Sequence, residues 1–335
     1  MDLRESRLTS EVAPVSEGNW TEADEHHTNH LALRMKTVRT VEGLRALLAS
    51  ARREELAIGL VPTMGALHAG HLSLIRHARR QCDRVVVSLF VNPSQFNERA
   101  DLERYPRDEA RDAELAEAAG ADILFAPPVE EVYPQGFATA VEVMGVTERL
   151  EGTSRGSEHF RGVTTVVTKL LCMVLPDVAY FGQKDAQQLV VIRRLVRDLN
   201  LPVQVEARPT VREPDGLAMS SRNALLSAQE RERALALPAA LEAAVDVVAT
   251  GESSAAVIEA SSREALSTRG IDPEYVALVD PETLEPLAEL SDTALLALAA
   301  RVGTTRLIDN AILRAHSPTD PAPRPPGKAI STCSV

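Results

Sequence analysis

The chain has 335 residues, enough for one large domain or two ordinary ones, and with 44% hydrophobic and 25% charged residues it is expected to form a packed core. A formal net charge of −12 argues against nucleic acid as the main partner, although a local basic pocket for a small anion is still allowed. Three scattered cysteines exclude a disulfide framework, and neither a membrane-spanning run nor a signal-peptide pattern occurs, so we expect a cytoplasmic protein with no membrane partner.

Both ends of the chain have the composition of disordered segments. Residues 1–34 are polar and acidic without a sustained period, and residues 316–335 are rich in proline and poor in apolar side chains. Both segments are therefore predicted to be disordered extensions.

Between these extensions, apolar strands alternate with helices over residues 35–209. The predicted strands are Leu56–Val61, Val85–Val91, Ile123–Ala126 and Val178–Phe181, and the predicted helices are Gly70–Cys82, Pro106–Ala119, an apolar stripe from Val163 to Val174, and Leu189–Leu199. Near-continuous apolar strands in such an alternation indicate a parallel sheet covered on both faces. The pattern predicts a Rossmann-like, doubly wound α/β domain, whose ligands bind at the carboxyl ends of the strands.

The pattern changes after Arg208. Glu213–Gly216 is typical of a turn, and it is followed by predicted helices at Gln229–Val248 and Ala255–Leu266 and short strands at Tyr275–Val279, Ala294–Ala299 and Arg306–Ile308. Residues 210–315 are therefore predicted to form a smaller C-terminal α+β domain that acts as a lid.

Two histidines, His68 and His71, lie where the first of these strands passes into a helix. The free N–H groups and the dipole at a helix N-terminus favour phosphate, and Gly65 and Gly70 allow a ligand to approach the backbone. This pattern predicts chemistry at the phosphates of a nucleotide. Two alternatives remain: the histidines only cap the helix, or they form part of a zinc site, for which no third ligand occurs at the usual spacing.

Three other segments contain candidate functional residues, and two of them, at Asn92 and at Lys184, directly follow predicted strands. Lys184 is a point charge suited to a phosphate oxygen or an ordinary surface lysine, and Asp185 is a suitable N-cap for the next helix. Gly216–Asn223 has the composition of a mobile anion-binding loop or of a plain polar loop. Asn92 and Gln95 offer neutral donors and acceptors, while Asn92-Pro93 is also an ordinary turn.

Taken in order, these segments resemble the pantothenate synthetase (pantoate–β-alanine ligase) family over about residues 35–315. The matching segments are Val61–His71, Val91–Phe96, Tyr105–Arg107, Phe181–Asp185 with Gln187 and Gln188, Asp215–Asn223 and Thr305–Asn310. The resemblance implies that pantoate attacks the α-phosphate of ATP to give a pantoyl adenylate and diphosphate, and that β-alanine then displaces AMP to give pantothenate. It also implies Mg²⁺ on the ATP phosphates and a homodimer.

Site residues follow from the same resemblance. His71, His68 and Lys184 are the implied catalytic residues, and Gln95 and Gln188 would bind pantoate and β-alanine. The implied ATP-binding residues are Met64, Gly65, Ala66, Leu67, His68, Ala69, Gly70, His71, Gly182, Gln183, Lys184, Asp185, Val211, Met219, Ser220, Ser221 and Arg222. No protein side chains are assigned to a metal.

The chain departs from the family pattern at three places. Gln183 stands where the family usually has Glu, and Ala100 replaces a common Glu. The stretch Arg155–Phe160 has one residue more than the usual motif, so Arg155 is left out of the predicted site. The rival interpretations are a nucleotidylyltransferase that acts on a phosphorylated acceptor, a relative of the aminoacyl-tRNA synthetases and a catalytically inactive nucleotide sensor.

Overall fold

The computed structural model describes residues 34–96 and 99–315. The two predicted extensions, residues 1–34 and 316–335, lie outside the described residues except for Arg34. The side chain of Ala100 also lies outside the description.

Six parallel strands form the central sheet, of which the apolar runs predicted four. They are Lys36–Val38 (β1), Ile58–Thr63 (β2), Arg84–Leu89 (β3), Ile123–Phe125 (β4), Val178–Gly182 (β5) and Gln204–Arg208 (β6). Their order is β1-β4-β3-β2-β5-β6, so the sheet grows from β2 through β3 in one direction and through β5 in the other. The strand order thus reverses between β2 and β5, and in open α/β sheets the crevice outside the carboxyl ends at such a point is where ligands bind.

Helices cover both faces of this sheet. They are Val41–Arg53 (α1), Ala69–Gln81 (α2), Arg99–Arg104 (α3), Glu109–Ala118 (α4), Val129–Val132 (α5), Glu151–Arg155 (α6), Ser157–Val174 (α7) and Ala186–Asp198 (α8). Because side chains alternate along a strand, Leu60 packs with α1 and α7 on one face, whereas Val61 packs with α2 and α4 on the other.

A second, antiparallel sheet follows in the chain. Its strands are Pro273–Val279 (β7), Thr293–Val302 (β8) and Thr305–Arg314 (β9), and it packs with helices Ala228–Ala234 (α9), Ala236–Ala249 (α10) and Ala255–Ser267 (α11). Val190 and Val191 of α8 pack against Leu295 and Ala297 of β8, which joins the two sheet systems. The predicted fold class is confirmed, while the domain boundary between residues 209 and 210 stays a prediction.

The structure differs from the prediction in the helix expected at Gln229–Val248. This segment forms two helices, α9 and α10, that meet at Leu235. Pro238 lies in the first turn of α10, where it has no N–H to donate to the preceding turn, so one continuous helix is disfavoured. The sequence analysis also missed β1, α1 and β6, of which β1 and β6 are short, partly exposed edge strands.

Helix α7 makes a close contact at Gly162. A Cβ at this position would lie 2.3 Å from the carbonyl oxygen of Ser94, in the turn that follows β3. The backbone of α7 and that turn are therefore in direct contact, and this contact fixes the position of the turn relative to α7.

We expect Gly162→Ala to destabilise the protein by about 1–3 kcal/mol, because the added methyl group must displace backbone rather than a flexible side chain. Gly43→Ala in α1 is the matched control, since there a Cβ meets the side chains of Val38 and Thr40, and alanine also favours the helix. Urea unfolding of both variants checks this, and an equal or smaller loss for Gly162→Ala would contradict the proposed backbone contact.

Candidate active site

A buried carboxylate holds the turn between β2 and α2. Gly65 and Ala66 have φ values of 91° and 52°, in the left-handed region that favours glycine. Asp112 of α4 is 2% exposed and accepts hydrogen bonds from the N–H groups of Ala66 and Leu67 at 2.8 and 2.7 Å. These two amides of the predicted ATP-binding segment therefore point at Asp112, so a ligand would have to contact Ala66 and Leu67 through other atoms.

The turn delivers the two histidines to the N-terminus of α2. His68 is the N-cap residue, and its Nδ1 accepts from the N–H of Gly70 at 3.2 Å. The N–H of His68 in turn donates to Nδ1 of His71 at 3.4 Å. The two rings lie 4.1 Å apart between centroids, with an angle of 30° between their planes. The capping alternative is thus correct as local structure, and it leaves the far edge of each ring available to a ligand.

The hydrogen bonds fix where the imidazole protons are. A backbone N–H can only donate, so Nδ1 of each histidine is unprotonated and the proton lies on Nε2. Burial lowers the pKa of His71 to about 3, and the charges of His68 and Lys184 contribute to this shift. Burial and Lys184 lower the pKa of His68 too. Both rings are therefore neutral Nε2–H donors at physiological pH.

Lys184 lies across the crevice, in a short 3₁₀ turn that follows β5. Its Nζ is 3.6 Å from the carboxylate of Asp185, whose side chain is 52% exposed. Asp185 lies at the N-cap position of α8, yet its side chain accepts no capping hydrogen bond there, so the N-cap interpretation is wrong for the side chain. The carboxylate instead faces cations. The partial burial of Asp185 raises its pKa, but the charges of Lys184, Arg155 and Arg222 outweigh this effect and hold the pKa below its ordinary value.

The turn that carries Lys184 is anchored to the second sheet. Nδ2 of Asn310 in β9 donates to the carbonyl oxygens of Gln183 and Lys184 at 3.0 and 2.9 Å, and Nε2 of Gln183 donates to Oδ1 of Asn310 at 3.3 Å. Gln183, one of the departures from the family pattern, can donate this bond, whereas a glutamate carboxylate could not.

Residues 211–223 form a turn closed by hydrogen bonds at its base. The guanidinium of Arg212 binds both carboxylate oxygens of Asp309, at 2.7 and 3.1 Å, and the N–H of Met219 donates to the carbonyl of Val211 at 2.9 Å. Oγ of Ser220 caps the next short turn by accepting from the N–H of Arg222. The predicted loop is therefore ordered in this structure.

Lys184, Ser220 and Arg222 line one pocket. The cavity there is about 10 Å³, room for about one water molecule. Met219 bends back over the histidine turn, where its Cγ lies 3.9 Å from the position of a Cβ on Gly70. The pocket is therefore too small for a phosphate group in this conformation of the loop of residues 216–223.

The same pocket contains Arg155, which the sequence analysis left out of the site. The one extra residue after Arg155 does not remove its side chain from this pocket. Gly156, with φ of 78°, connects α6 directly to α7 and accommodates the longer segment. Arg155 donates to Oε2 of Glu151 at 2.8 Å, and the spacing of four residues on a helix is the sequence signal that was overlooked.

Glu151 itself is the centre of a buried cluster. Its two carboxylate oxygens accept from the guanidinium of Arg306 at 2.6 and 2.7 Å, and the hydroxyl of Tyr275 donates at 2.9 Å. Although burial raises the pKa of Glu151, the hydrogen bonds and charges of Arg306 and Arg155 bring it down to about 2. We call Glu151, Arg155, Tyr275 and Arg306 the Glu151 cluster; it ties α6 to the second sheet.

Gln95 lies in the turn after β3, at the wall of the crevice beside Met64. Asn92, 1% exposed, donates through Nδ2 to Oε1 of Gln95 at 3.0 Å, which leaves the Nε2 donor of Gln95 directed at the sulfur of Met64, 2.8 Å away. The hydroxyl of Tyr133 donates to Oδ1 of Asn92 at 2.8 Å. The Asn92 side chain thus orients Gln95 and is more than part of an ordinary Asn-Pro turn.

The remaining residues of the predicted site differ in their exposure and in their surroundings. Gly182 has open space where a Cβ would lie, consistent with a ligand approaching β5. Gln188 is partly exposed on α8, whereas its neighbour Gln187 is buried and bonded to the backbone of Val146 and Arg149. Ala69 is exposed and Ser221 partly exposed in the turns that form the crevice. Within residues 34–96 and 99–315 no cluster of three His, Cys, Asp or Glu side chains has the arrangement of a metal site.

Comparison with known proteins identifies the family of this site. Residues 36–312 match the family model described as pantoate-beta-alanine ligase. The pantothenate synthetases of Moorella thermoacetica and Heliobacterium modesticaldum are each 53% identical, over 84% and 82% of this chain and 100% and 99% of theirs.

Solved structures give the same result. The pantothenate synthetase of Thermus thermophilus is 50% identical, with a TM-score of 0.78 over 83% of this chain and 99% of that one. The pantoate-beta-alanine ligase of Francisella tularensis, solved as a complex with beta-gamma ATP and beta-alanine, is 32% identical with a TM-score of 0.69 and covers 83% of this chain and 97% of that one.

The buried carboxylate under the turn gives a first test of the site. We expect Asp112→Asn to lower the free energy of unfolding by about 1–3 kcal/mol, because the amide group accepts only one of the two N–H groups and presents a donor to the other. The KM for ATP should rise as the turn loosens. Asp108→Asn is the matched control: Asp108 is the exposed N-cap of the same helix, where asparagine caps equally well.

The control should unfold like the unaltered protein. Urea unfolding and steady-state kinetics measure both quantities, and a stable Asp112→Asn variant with an unchanged KM would show that the carboxylate does not fix the turn.

The neutral histidines make stability depend on pH. The pKa of His71 is about 3 in the folded protein against an ordinary value of 6.5, so below pH 6.5 the unfolded chain binds a proton that the folded chain does not. The free energy of unfolding should therefore fall as pH drops from about 6.5 to 5, by up to about 1.4 kcal/mol per pH unit for this residue. Urea unfolding should show a shallower fall for His71→Asn, and parallel curves would contradict a neutral, buried imidazole.

Proposed function

Because the chain belongs to the pantoate–β-alanine ligase family, it is an ATP-dependent ligase that condenses pantoate with β-alanine to pantothenate, and we propose that the crevice between β2 and β5 is where this reaction takes place. The observation that carries the proposal is the placement of the histidine pair and Lys184 on opposite sides of that crevice, at the carboxyl ends of the two strands where the order of the sheet reverses.

In the first step, the carboxylate of pantoate attacks the α-phosphate of ATP and diphosphate leaves, giving a pantoyl adenylate. Negative charge grows on the phosphate oxygens, and preorganised donors aimed at that charge lower the barrier. The Nε2–H groups of His68 and His71 supply two neutral donors, and Lys184 and Arg222 supply positive charge. Neutral imidazoles are useful here, because two more cations beside Lys184 would repel one another in the empty site.

Further residues of the predicted ATP set would surround the nucleotide. Met64, Val211 and Met219 would pack on the adenosine, and the hydroxyls of Ser220 and Ser221 would reach the phosphates once the loop closes over them. We extend this set with Arg155, whose side chain lines the same pocket as Lys184 and Arg222. Burial and the charge of Arg155 lower the pKa of Arg222 from its ordinary value, and a bound anion would offset the repulsion between the two guanidinium groups.

Mg²⁺ would accompany ATP in this reaction. The only carboxylate beside Lys184 in the described part of the turn is that of Asp185, which is half-exposed and held in its ionised form. One carboxylate together with substrate phosphates is the usual way in which proteins bind Mg²⁺ with ATP, so the site fits this ion. When bound, Mg²⁺ neutralises part of the phosphate charge; Asp185 would hold it, and Lys184 and the histidine donors would act on the remaining oxygens.

Gln95 and Gln188 would bind pantoate. Because Asn92 occupies Oε1 of Gln95 and Met64 faces only one hydrogen of the Nε2–H₂ group, the second hydrogen is a donor suited to the carboxylate or hydroxyl oxygens of pantoate. Its contact with Met64 places that donor next to the histidine turn, where the α-phosphate would lie.

We further propose a cytoplasmic homodimer. The family resemblance supports the homodimer, and free Cys82 and Cys172 within the described residues are consistent with a reducing compartment. No helix of the described part of the chain is long and apolar enough to cross a membrane. Sedimentation velocity of the full chain tests the dimer.

The reaction is tested by incubating the protein with Mg²⁺-ATP and pantoate, with and without β-alanine. A ligase exchanges labelled diphosphate into ATP when pantoate alone is present and releases AMP continuously only when β-alanine is added. A nucleotidylyltransferase would instead need a phosphorylated acceptor. Diphosphate exchange at the same rate with and without pantoate would overturn the assignment.

Lys184→Ala should lower the rate of pantoate-dependent diphosphate exchange by roughly 10²–10³-fold, the usual loss for one preorganised group that stabilises developing charge. Lys36→Ala is the matched control, since Lys36 is an exposed lysine on the edge strand β1. Exchange rates at saturating substrates measure the effect, and a loss below about fivefold would mean that Lys184 does not contact the phosphates.

A further inference from the structure

A third histidine, His159, lies beside Gln95. It belongs to the first turn of α7, and its Nδ1 is 2.8 Å from the backbone carbonyl oxygen of Gln95. A carbonyl oxygen can only accept, so Nδ1 of His159 carries the proton and donates it to this bond. In the neutral ring the lone pair is then on Nε2, which is free to accept a hydrogen bond or a proton.

This arrangement is the reverse of that in the histidine pair. His68 and His71 accept backbone N–H groups at Nδ1 and therefore present Nε2–H donors. His159 donates at Nδ1 and presents an Nε2 acceptor. Of these three histidines, only His159 has, as a neutral ring, an Nε2 lone pair that can take a proton from a substrate. Neutral His68 and His71 can each only donate one hydrogen bond through Nε2.

The second half of the reaction needs such an acceptor. The amine of β-alanine is an ammonium ion at neutral pH, and an ammonium nitrogen has no lone pair with which to attack the acyl carbon of the adenylate. A group in the site must hold the departing proton. The phosphate-binding cations cannot, because an ammonium or guanidinium group that is positively charged has no basic nitrogen to accept a proton.

We propose that Nε2 of His159 is the general base that accepts a proton from the β-alanine ammonium group in the amide-forming step. The freed lone pair on nitrogen forms the C–N bond to the acyl carbon, the second amine proton passes to solvent, and the bond between the acyl carbon and the phosphate oxygen breaks. AMP leaves with that electron pair. The inference rests on the proposed role of Gln95 in holding pantoate, since His159 bonds to the backbone of that residue.

Burial and the charges around His159 keep its ring in the neutral form, which has a lone pair to accept a proton. The groups that face it are Arg155 of α6, Arg222 of the loop of residues 216–223, the carboxylate of Glu151 and the carbonyl of Gln95. Burial, together with the charge of Arg155, lowers its pKa to about 4, so the ring is neutral across the physiological range. The negative phosphate of the adenylate offsets the charges of Arg155 and Arg222 and strengthens the base when it is needed. The same cations disfavour the ammonium form of a bound amine.

His159→Asn tests the proposal, because an asparagine amide can still donate to the carbonyl of Gln95 while offering no basic nitrogen. Amide formation from β-alanine should fall by roughly 10²–10⁴-fold, the usual contribution of general base catalysis. Pantoate-dependent diphosphate exchange should stay within about threefold of the unaltered enzyme. Hydroxylamine, an amine that is uncharged at neutral pH, needs no base, so it should give pantoyl hydroxamate at similar rates with both proteins.

Three results would overturn the proposal: amide formation reduced less than about fivefold, diphosphate exchange reduced as much as amide formation, or hydroxylamine turnover reduced as much as β-alanine turnover. The second result would make His159 a residue that only positions Gln95. Loss of pantoate-dependent exchange in the unaltered protein would instead contradict the proposed function itself, so the two failures are distinguishable.

A second measurement guards against a misfolded variant. In rapid-quench experiments on the unaltered enzyme, the amide-forming step should slow in acid as His159 is protonated, while adenylate formation should not slow with the same pKa. Identical pH profiles for the two steps would also overturn the proposal.

Discussion

The proposed active site depends on the hydrogen bonds between the Asp112 carboxylate and the turn that follows β2. Two successive residues, Gly65 and Ala66, adopt left-handed backbone conformations there, and for the alanine this conformation costs free energy. The buried carboxylate offsets that cost by accepting two backbone hydrogen bonds. With the turn fixed, His68 becomes the N-cap of α2, its Nδ1 is occupied by the backbone, and so is that of His71. The Asp112 carboxylate on α4 thus determines that the Nε2 edge of each imidazole, rather than the Nδ1 edge, is presented to a ligand.

The Glu151 cluster is a second constraint on the site, and a gain in folding stability does not explain why it is buried. Removing several charged groups from water is costly, and a buried ion pair is often no better for stability than apolar packing. The cluster has a geometric consequence, however. Arg306 and Tyr275 come from the second sheet and Arg155 from α6, so the shared carboxylate holds Arg155 in the pocket that Lys184 and Arg222 also line. The anchoring of the Lys184 turn by Asn310 has the same effect on the opposite wall.

The sequence predicted well what is encoded locally. Continuous apolar runs predicted β2 to β5. The histidine pair and Lys184 lie at the crevice, as their positions after strands indicated, and residues of the Gly216–Asn223 loop line the pocket beside it. The residues that support them were not predictable in this way. Asp112 lies 45 residues from Leu67 in sequence, and an isolated aspartate in a polar helix has no distinguishing pattern. Arg155 was set aside because of one additional residue, whose effect is absorbed by the left-handed Gly156. The interaction of the Asp185 carboxylate with cations was not predictable either, because the cations come from three separate segments of the chain.

The histidines show why tertiary contacts, rather than residue type, determine chemical role. All three are imidazoles with depressed pKa values in one crevice, so composition and motif treat them alike. What separates them is whether Nδ1 meets a backbone N–H or a backbone carbonyl. A helix N-terminus offers N–H groups, and this leaves His68 and His71 with Nε2–H donors, which would face phosphate in the proposed site. The carbonyl of the Gln95 turn, held close to α7 by the contact at Gly162, makes His159 an acceptor. Adenylation requires donors for growing negative charge and aminolysis requires an acceptor for a proton, so in the proposed mechanism the backbone at two edges of the crevice would assign each half-reaction its own imidazole.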